Sequence, residues 1–248
     1  MNASAIVLGA DALAVATTTG LRGLGVDVLA LRGEQLPELC VSLRPSCFSV
    51  EGKRVGAILL REMAGAIAPV AFVPDDRGFV LAELSATWLA ATQLDGMLVV
   101  NRLDAEAWFE GAQWPVWRRR LARGSVGVSP LSFGDRTPAA CWRPYVDGLD
   151  RPVPIAAARR ALGTALAHAP KVGRALFACG DAIGERPPAA VEHAARLLCR
   201  QGVQVASFTY DAAGCVATVD VLPALSDLEA EHVAPRLIAL LHDHLRRR

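Results

Sequence analysis

This chain has 248 residues but only two lysines, Lys53 and Lys171, although lysine and arginine together number 26. Any site that needs lysine to neutralise phosphate must use those two or do without. Charge of one sign is also missing: 25 acidic residues leave a net +1, which gives nucleic acid no general electrostatic handle. Metal-ligand spacing is absent as well. The five histidines form no HExxH, and His242 and His244 flank Asp243 in what reads as a solvated helix end. The six cysteines, Cys40, Cys47, Cys141, Cys179, Cys199 and Cys215, contain no CxxC pair and read as buried free thiols. Although 52% of residues are hydrophobic and the mean hydropathy is +0.30, charges break every apolar run. Leu59-Leu60, for example, runs into Arg61-Glu62, so nothing reaches the roughly 18 residues of a membrane span. Met1 to Ala10 carries no basic residue and lacks the build of a secretory signal. These absences lead us to expect a soluble, cytoplasmic protein with no nucleic-acid or membrane partner.

What is present is an alternation of strands and helices. Ala5–Leu8 reads as a strand. Asp11 is placed to cap an Ala/Leu-rich helix to about Leu24, Gly25 ends it, and residues 26–31 read as a second strand. A third step is expected at Cys47–Val50, followed by an amphipathic helix from Val55 to Ile67, ended by Pro69. A strand at 70–73, a helix at about Phe79–Gln93 and a strand at 97–100 complete the series. Such a series predicts a mainly parallel, Rossmann-like sheet with its ligand at the carboxyl edge. Gly9, Asp11, Asp75, Asp76 and Asn101 all fall on that edge and are the candidate ligand-binding residues. Gly9 and Asp11 also have a plainer reading as a tight turn and a helix cap. The first loop, LGADALAVATTTG, is not GxGxxG, so a dinucleotide site is poorly supported.

Pro115 suits the first turn of a helix carrying Trp117 and Leu121, and Gly124–Pro130 closes a first domain, residues 1–130. The remainder, 131–248, reads as a smaller α+β part. It has a strand at 175–179, a helix at 189–201 and a strand pair at 203–210 and 216–221 turning through Asp211-Ala212-Ala213-Gly214. Ser226 and Glu229 make a capping box for a last helix, whose main body Pro235 is expected to start or kink. Trp108, Phe109, Trp114 and Trp117 cluster around a Gly-Ala-Gln turn, with Arg118, Arg119, Arg120 and Arg123 beside them. They either fill the core under that loop or form an aromatic subunit interface rimmed by arginine.

The order of these pieces resembles the ATP-grasp superfamily, in particular carboxylate-amine ligases with a pre-ATP-grasp N-terminal domain. AIVLGADALAVATTTGLRGLGVDVLAL is similar to that family's opening strand, helix and strand, and VAFVPDDRGFVLAEL to its strand ending in a Pro and acidic loop. WRRRLARGSVGVSP is similar to the passage into the nucleotide-binding lobes. CWRPYVDGLD resembles the strand that usually carries a Gln-Glu pair, and GVQVASFTYDAAGCVATVDVLPALSDL the closing hairpin, which normally ends Glu-x-Asn-x-x-Pro. The resemblance implies a truncated α+β ATP-grasp-like part behind the Rossmann-like domain. It also implies residual nucleotide-site positions at Arg143, Tyr145, Asp220 and Leu222.

The departures bear on activity. Forming an acyl phosphate from a carboxylate and ATP requires lysines and carboxylate-held magnesium around the phosphates. Leu222 stands where an amide oxygen is expected, and Gln113-Trp114-Pro115-Val116 where the opening helix has its lysine. Arg143-Pro144 replaces the Gln-Glu pair, and only 14 residues separate Pro130 from Tyr145, too few for the glycine-rich lobe. The first expectation is therefore a degenerate protein with no cofactor, binding a polar small molecule or serving a partner protein or a second copy. Two alternatives stand beside it: an active ATP- and magnesium-dependent ligase using Asp211, Asp220 and Lys171, or an unrelated Rossmann-like transferase.

Overall fold

The computed structural model describes residues 3–61, 77–102, 114–128 and 173–247. Strand β1 (Ser4–Leu8) leads to helix α1 (Ala12–Gly23) and strand β2 (Val28–Leu31). Asp11 caps α1 by accepting the Ala14 amide at 2.9 Å, and Gly25, at φ +78°, turns the chain away after the last turn. A 3-10 helix (Gly33–Glu38) precedes β3 (Val41–Arg44), β4 (Cys47–Val50) and β5 (Lys53–Leu60). Helix α2 (Arg77–Thr92), β6 (Leu98–Val100) and α3 (Trp114–Arg123) complete the first half. The second half comprises β7 (Gly173–Ala178), β8 (Asp181–Ile183), α4 (Ala189–Arg200), β9 (Val205–Tyr210), β10 (Val216–Asp220) and α5 (Asp227–Arg246).

The first sheet runs β2-β1-β5-β4-β3, with β6 also on β5. Strands β1, β2, β5 and β6 are parallel, while β3 and β4 pair antiparallel. The expected helix from Val55 is corrected here: Val55–Leu60 belongs to β5, in the middle of the sheet. A central strand buries both faces and so reads as an unbroken apolar run, which periodicity alone does not distinguish from a helix. The local signal lay one step earlier. Glu51 (φ 52°) and Gly52 (φ 73°) form a two-residue turn with both angles positive, which folds β4 and β5 into a hairpin.

Alternation along the central strands divides the apolar core. Ile6, Leu8, Ile58 and Leu60 face a layer with Phe48, Trp88, Trp117, Phe177, Leu198 and Phe208. Ala5, Val7, Ala57 and Leu59 face the other, with Leu13 and Leu21 of α1 and Val233, Leu237 and Leu241 of α5. Both layers take residues from either side of residue 130, so the second half buries the first. The second sheet, β10-β9-β7-β8, is wholly antiparallel. Its hairpin turns as expected, Asp211 Oδ1 accepting the amides of Ala213 and Cys215, each at 2.9 Å. The Ser226–Glu229 capping box is also present. Helix α5 runs unbroken through Pro235, neither starting nor ending there. Pro235 and Glu231, whose carbonyl loses its helical partner, both face solvent, which can supply the missing hydrogen bond. Among the described residues, no helix is long and apolar enough to cross a membrane.

Trp117 is 1% exposed and packs in the core, with the Arg120 guanidinium 4.8 Å from its ring centroid. This corrects the interface reading for Trp117. Trp108 and the side chain of Trp114 lie outside the described residues. Trp117→Ala is expected to destabilise the protein by about 3–5 kcal/mol, read as a lowered urea midpoint. An unchanged midpoint would return Trp117 to the surface.

Candidate functional site

The carboxyl ends of β1, β5 and β6 meet the end of β10. At β1, Gly9 adopts φ +136°, and a Cβ there would lie 2.6 Å from Arg61 Cβ, so only glycine fits. Arg61 follows β5 and its side chain is 2% exposed. Its Nε and Nη2 donate to Asp11 Oδ2 at 2.9 and 2.5 Å, and Nη2 also donates to the Pro223 carbonyl at 2.7 Å. The Asp11 side chain, 35% exposed, therefore caps α1 with one oxygen and neutralises a buried guanidinium with the other. Strand β1 sends the chain to β2 on one side, and β5 lies on the other, so this is the crevice where an open α/β sheet ordinarily holds a ligand. Here Arg61 occupies its β5 side, while Gly9 and Ala10 line an open cleft on its β2 side.

Asn101, after β6, is fully buried at φ 61°. Its Oδ1 accepts the amides of Gln204 (2.9 Å) and Val205 (2.8 Å), and its Nδ2 donates to the carbonyls of Val205 (3.0 Å) and Val221. An amide has two donors and two acceptor lone pairs, so its capacity is spent. The ligand expectation for Asn101 is thus replaced by a tie between the first sheet and the second. Asp75 and Asp76 lie outside the described residues, as do Arg143, Tyr145 and Lys171.

At the end of β10, Asp220 faces solvent and its Oδ1 accepts the Leu222 amide at 2.9 Å. Leu222 packs against the core, the Val221 carbonyl is held by Asn101, and the Pro223 carbonyl is held by Arg61. One carboxylate, a hydrocarbon and two carbonyls turned to Asn101 and Arg61 do not fit a magnesium ion, which wants oxygen ligands in octahedral array. Asp211 is no help to Asp220. The two stand before and at the end of β10, which at ~3.3 Å per residue puts them more than 10 Å apart. Among the described residues, no group of three or more His, Cys, Asp and Glu is placed to hold a metal.

Two features were not legible in the sequence. Cys179 and Cys199 line one small cavity with Gly180, Asp181, Arg196 and Arg200. Burial, and secondarily Cys199, push the Cys179 thiol up to about 11. The cysteines among the described residues are free as expected, but Cys40 is exposed and Cys47, Cys179, Cys199 and Cys215 are only part-buried. The second feature is a cleft of about 360 Å³ between α1 and the 3-10 helix, opening beside β2. Gly9, one of the expected ligand-binding residues, lines it with Ala10, whereas Thr18, Thr19, Arg22, Arg32 and Gln35 come from segments that only the fold brings together.

No protein-family model matches the chain, and no curated protein matches it. Solved structures do. The ATP-grasp ligase PsnB, complexed with precursor peptide PsnA2 and AMPPNP, is similar at a TM-score of 0.64 and 17% identity, over 99% of this chain and 98% of that one. The macrocyclase MdnC from Microcystis aeruginosa, bound with precursor peptide MdnA, is similar at 0.62 and 10% identity, over 97% and 99%. A RimK-domain ATP-grasp protein from Sphaerobacter thermophilus matches at 0.50 and 16% identity, over 96% and 99%. The chain therefore has an ATP-grasp-like fold, with matches running nearly end to end. The segment expected to lack the glycine-rich lobe lies outside the described residues.

Proposed function

We propose that this protein is a catalytically degenerate member of the ATP-grasp superfamily that binds a peptide or protein partner and performs no ATP-dependent ligation of its own. One observation carries the reading. Of residues 220–223, where the resemblance places the cation ligands, Asp220 alone faces solvent, while Val221, Leu222 and Pro223 hold the two halves of the molecule together through Asn101, the core and Arg61. Catalysis of acyl-phosphate formation rests on preorganised charge around the transferring phosphoryl group. A leucine side chain and an occupied carbonyl supply none. The partner class rests on the fold's relatives, two of which are complexed with precursor peptides.

The active-ligase alternative is separated by ADP release. With magnesium, ATP and peptides bearing carboxylate and amine side chains, we expect release no faster than in buffer. Peptide-dependent ADP release that Asp220→Ala abolishes would establish the alternative.

A further inference from the structure

We infer that the cleft between α1 and the 3-10 helix is a binding site for a neutral nucleoside whose base carries an imide edge, as uracil does. The inference is independent of the reading that the partner is a peptide or protein.

The outer edge of β2 is closed on both sides of one residue. In the parallel ladder with β1, the carbonyls of Asp27 and Leu31 accept the amides of Ala5 and Gly9, so the backbone groups of odd-numbered residues face β1 and those of even-numbered residues turn outward. The outward Val28 carbonyl is held by Arg22 Nη2 at 3.2 Å, and the outward Arg32 amide by Gln35 Oε1 at 2.8 Å. Between these two only Ala30 remains. It is exposed and lines the cleft, and its N–H and C=O bond to no described residue. Gln35 lines the same cleft. Because its Oε1 takes the Arg32 amide, its Nε2 is the end left to donate. The order along this edge is therefore donor, acceptor, donor: Ala30 N–H, Ala30 C=O, Gln35 Nε2. Its complement is acceptor, donor, acceptor, which is the O=C–NH–C=O edge of uracil. Cytosine, with an amine for one carbonyl and a bare ring nitrogen for the N–H, mismatches two of the three positions.

The walls suit such an occupant. The cleft holds about 360 Å³, within the roughly 300–1,000 Å³ of small-molecule pockets. Ala14, Val15 and Leu31 give it an apolar side, and Val15 is 58% exposed. Thr18 also lines it; the residue is 8% exposed, yet its hydroxyl bonds to no described residue, and a sugar hydroxyl supplies the missing partner. The charges are already balanced. Arg22 is held at Val28 and helps Lys53 and Ser4 keep the Asp27 carboxyl below its usual range, while Arg32 stands 4.0 Å from Glu34. No carboxylate lines the cleft. The site thus calls for no ligand charge of either sign, and planar guanidinium groups remain able to stack on a neutral ring.

The test titrates uridine and cytidine into the isotope-labelled full chain and follows the backbone amides by NMR. Saturable binding of uridine is expected, about ten-fold or more tighter than cytidine, because each mismatch leaves a polar group unpaired. The Ala30 amide signal should move with it. Uridine methylated on its imide nitrogen should bind no better than cytidine. Gln35→Glu, at an exposed side chain, keeps an oxygen for the Arg32 amide but loses the donor, so it should weaken uridine about ten-fold at unchanged Tm. Thr18→Val, which keeps the shape and removes the hydroxyl, should weaken it about 3-fold. Equal affinity for the two nucleosides, shifts that bypass Ala30, indifference to Gln35→Glu, or no saturation at several millimolar uridine overturns the inference. Uridine carries no phosphate and needs no magnesium. None of those results bears on ADP release, so this inference can fail while the loss of ligation stands.

Discussion

Asp11→Ala is expected to destabilise the protein by about 3–5 kcal/mol, because it removes the one counter-charge that the Arg61 guanidinium, 2% exposed, has among the described residues. Loss of the α1 cap adds ~1 kcal/mol. The order of the two single variants is the sharper expectation. Arg61→Met strands only Asp11, which is 35% exposed and can be hydrated, and the Pro223 carbonyl, worth about 1–3 kcal/mol. Asp11→Ala should therefore lower the urea midpoint further than Arg61→Met. The double variant should regain part of the loss, since it removes the buried charge as well as its partner. Asp11→Asn keeps the cap and loses only the charge, so it should fall between wild type and Asp11→Ala. Equal midpoints for Asp11→Ala and Arg61→Met would mean that the guanidinium is not desolvated as described.

Asn101→Ala is expected to cost at least about 3 kcal/mol, because two backbone amides and two carbonyls at the junction of the sheets lose their partner together. Part of that cost is conformational, since alanine disfavours the left-handed backbone that Asn101 adopts at φ 61°. Asn101→Gly should thus be about 1 kcal/mol less damaging than Asn101→Ala. Asn101→Asp, nearly identical in shape, should be no better than alanine, because it turns an oxygen toward the carbonyls of Val205 and Val221. Proton-exchange protection at Gln204 and Val205, whose amides donate to Asn101 Oδ1, should drop in the alanine and glycine variants, which lack that acceptor.

Local features were legible in the sequence and long-range partnerships were not. The β1-α1-β2 unit could be read because its period changes from strand to helix and back, with Asp11 and Gly25 marking the helix ends. The Asp211–Gly214 turn and the Ser226–Glu229 box could be read because their chemistry is complete within four residues. β5 was misread because a strand buried on both faces carries no alternation. At the candidate site, the helix-cap reading of Asp11 is legible, but its partner Arg61 stands 50 positions away, where the sequence shows only a charge ending an apolar run. Asn101 reads as a ligand because it falls on the carboxyl edge of the sheet, and its four partners, from residues 204, 205 and 221, are too distant in sequence to show. The departure at Leu222 was visible in the chain, whereas its consequence, a segment turned inward to brace the fold, needed the structure.

The most direct test of the proposed loss of nucleotide chemistry is a thermal melt of the full chain with and without several millimolar magnesium-ATP. A ligand that binds only the folded state at 100 times its Kd stabilises it by about 2.7 kcal/mol, a rise of several degrees for a chain of this size. We predict the same Tm with and without the nucleotide. A saturable, magnesium-dependent rise in Tm would contradict the account.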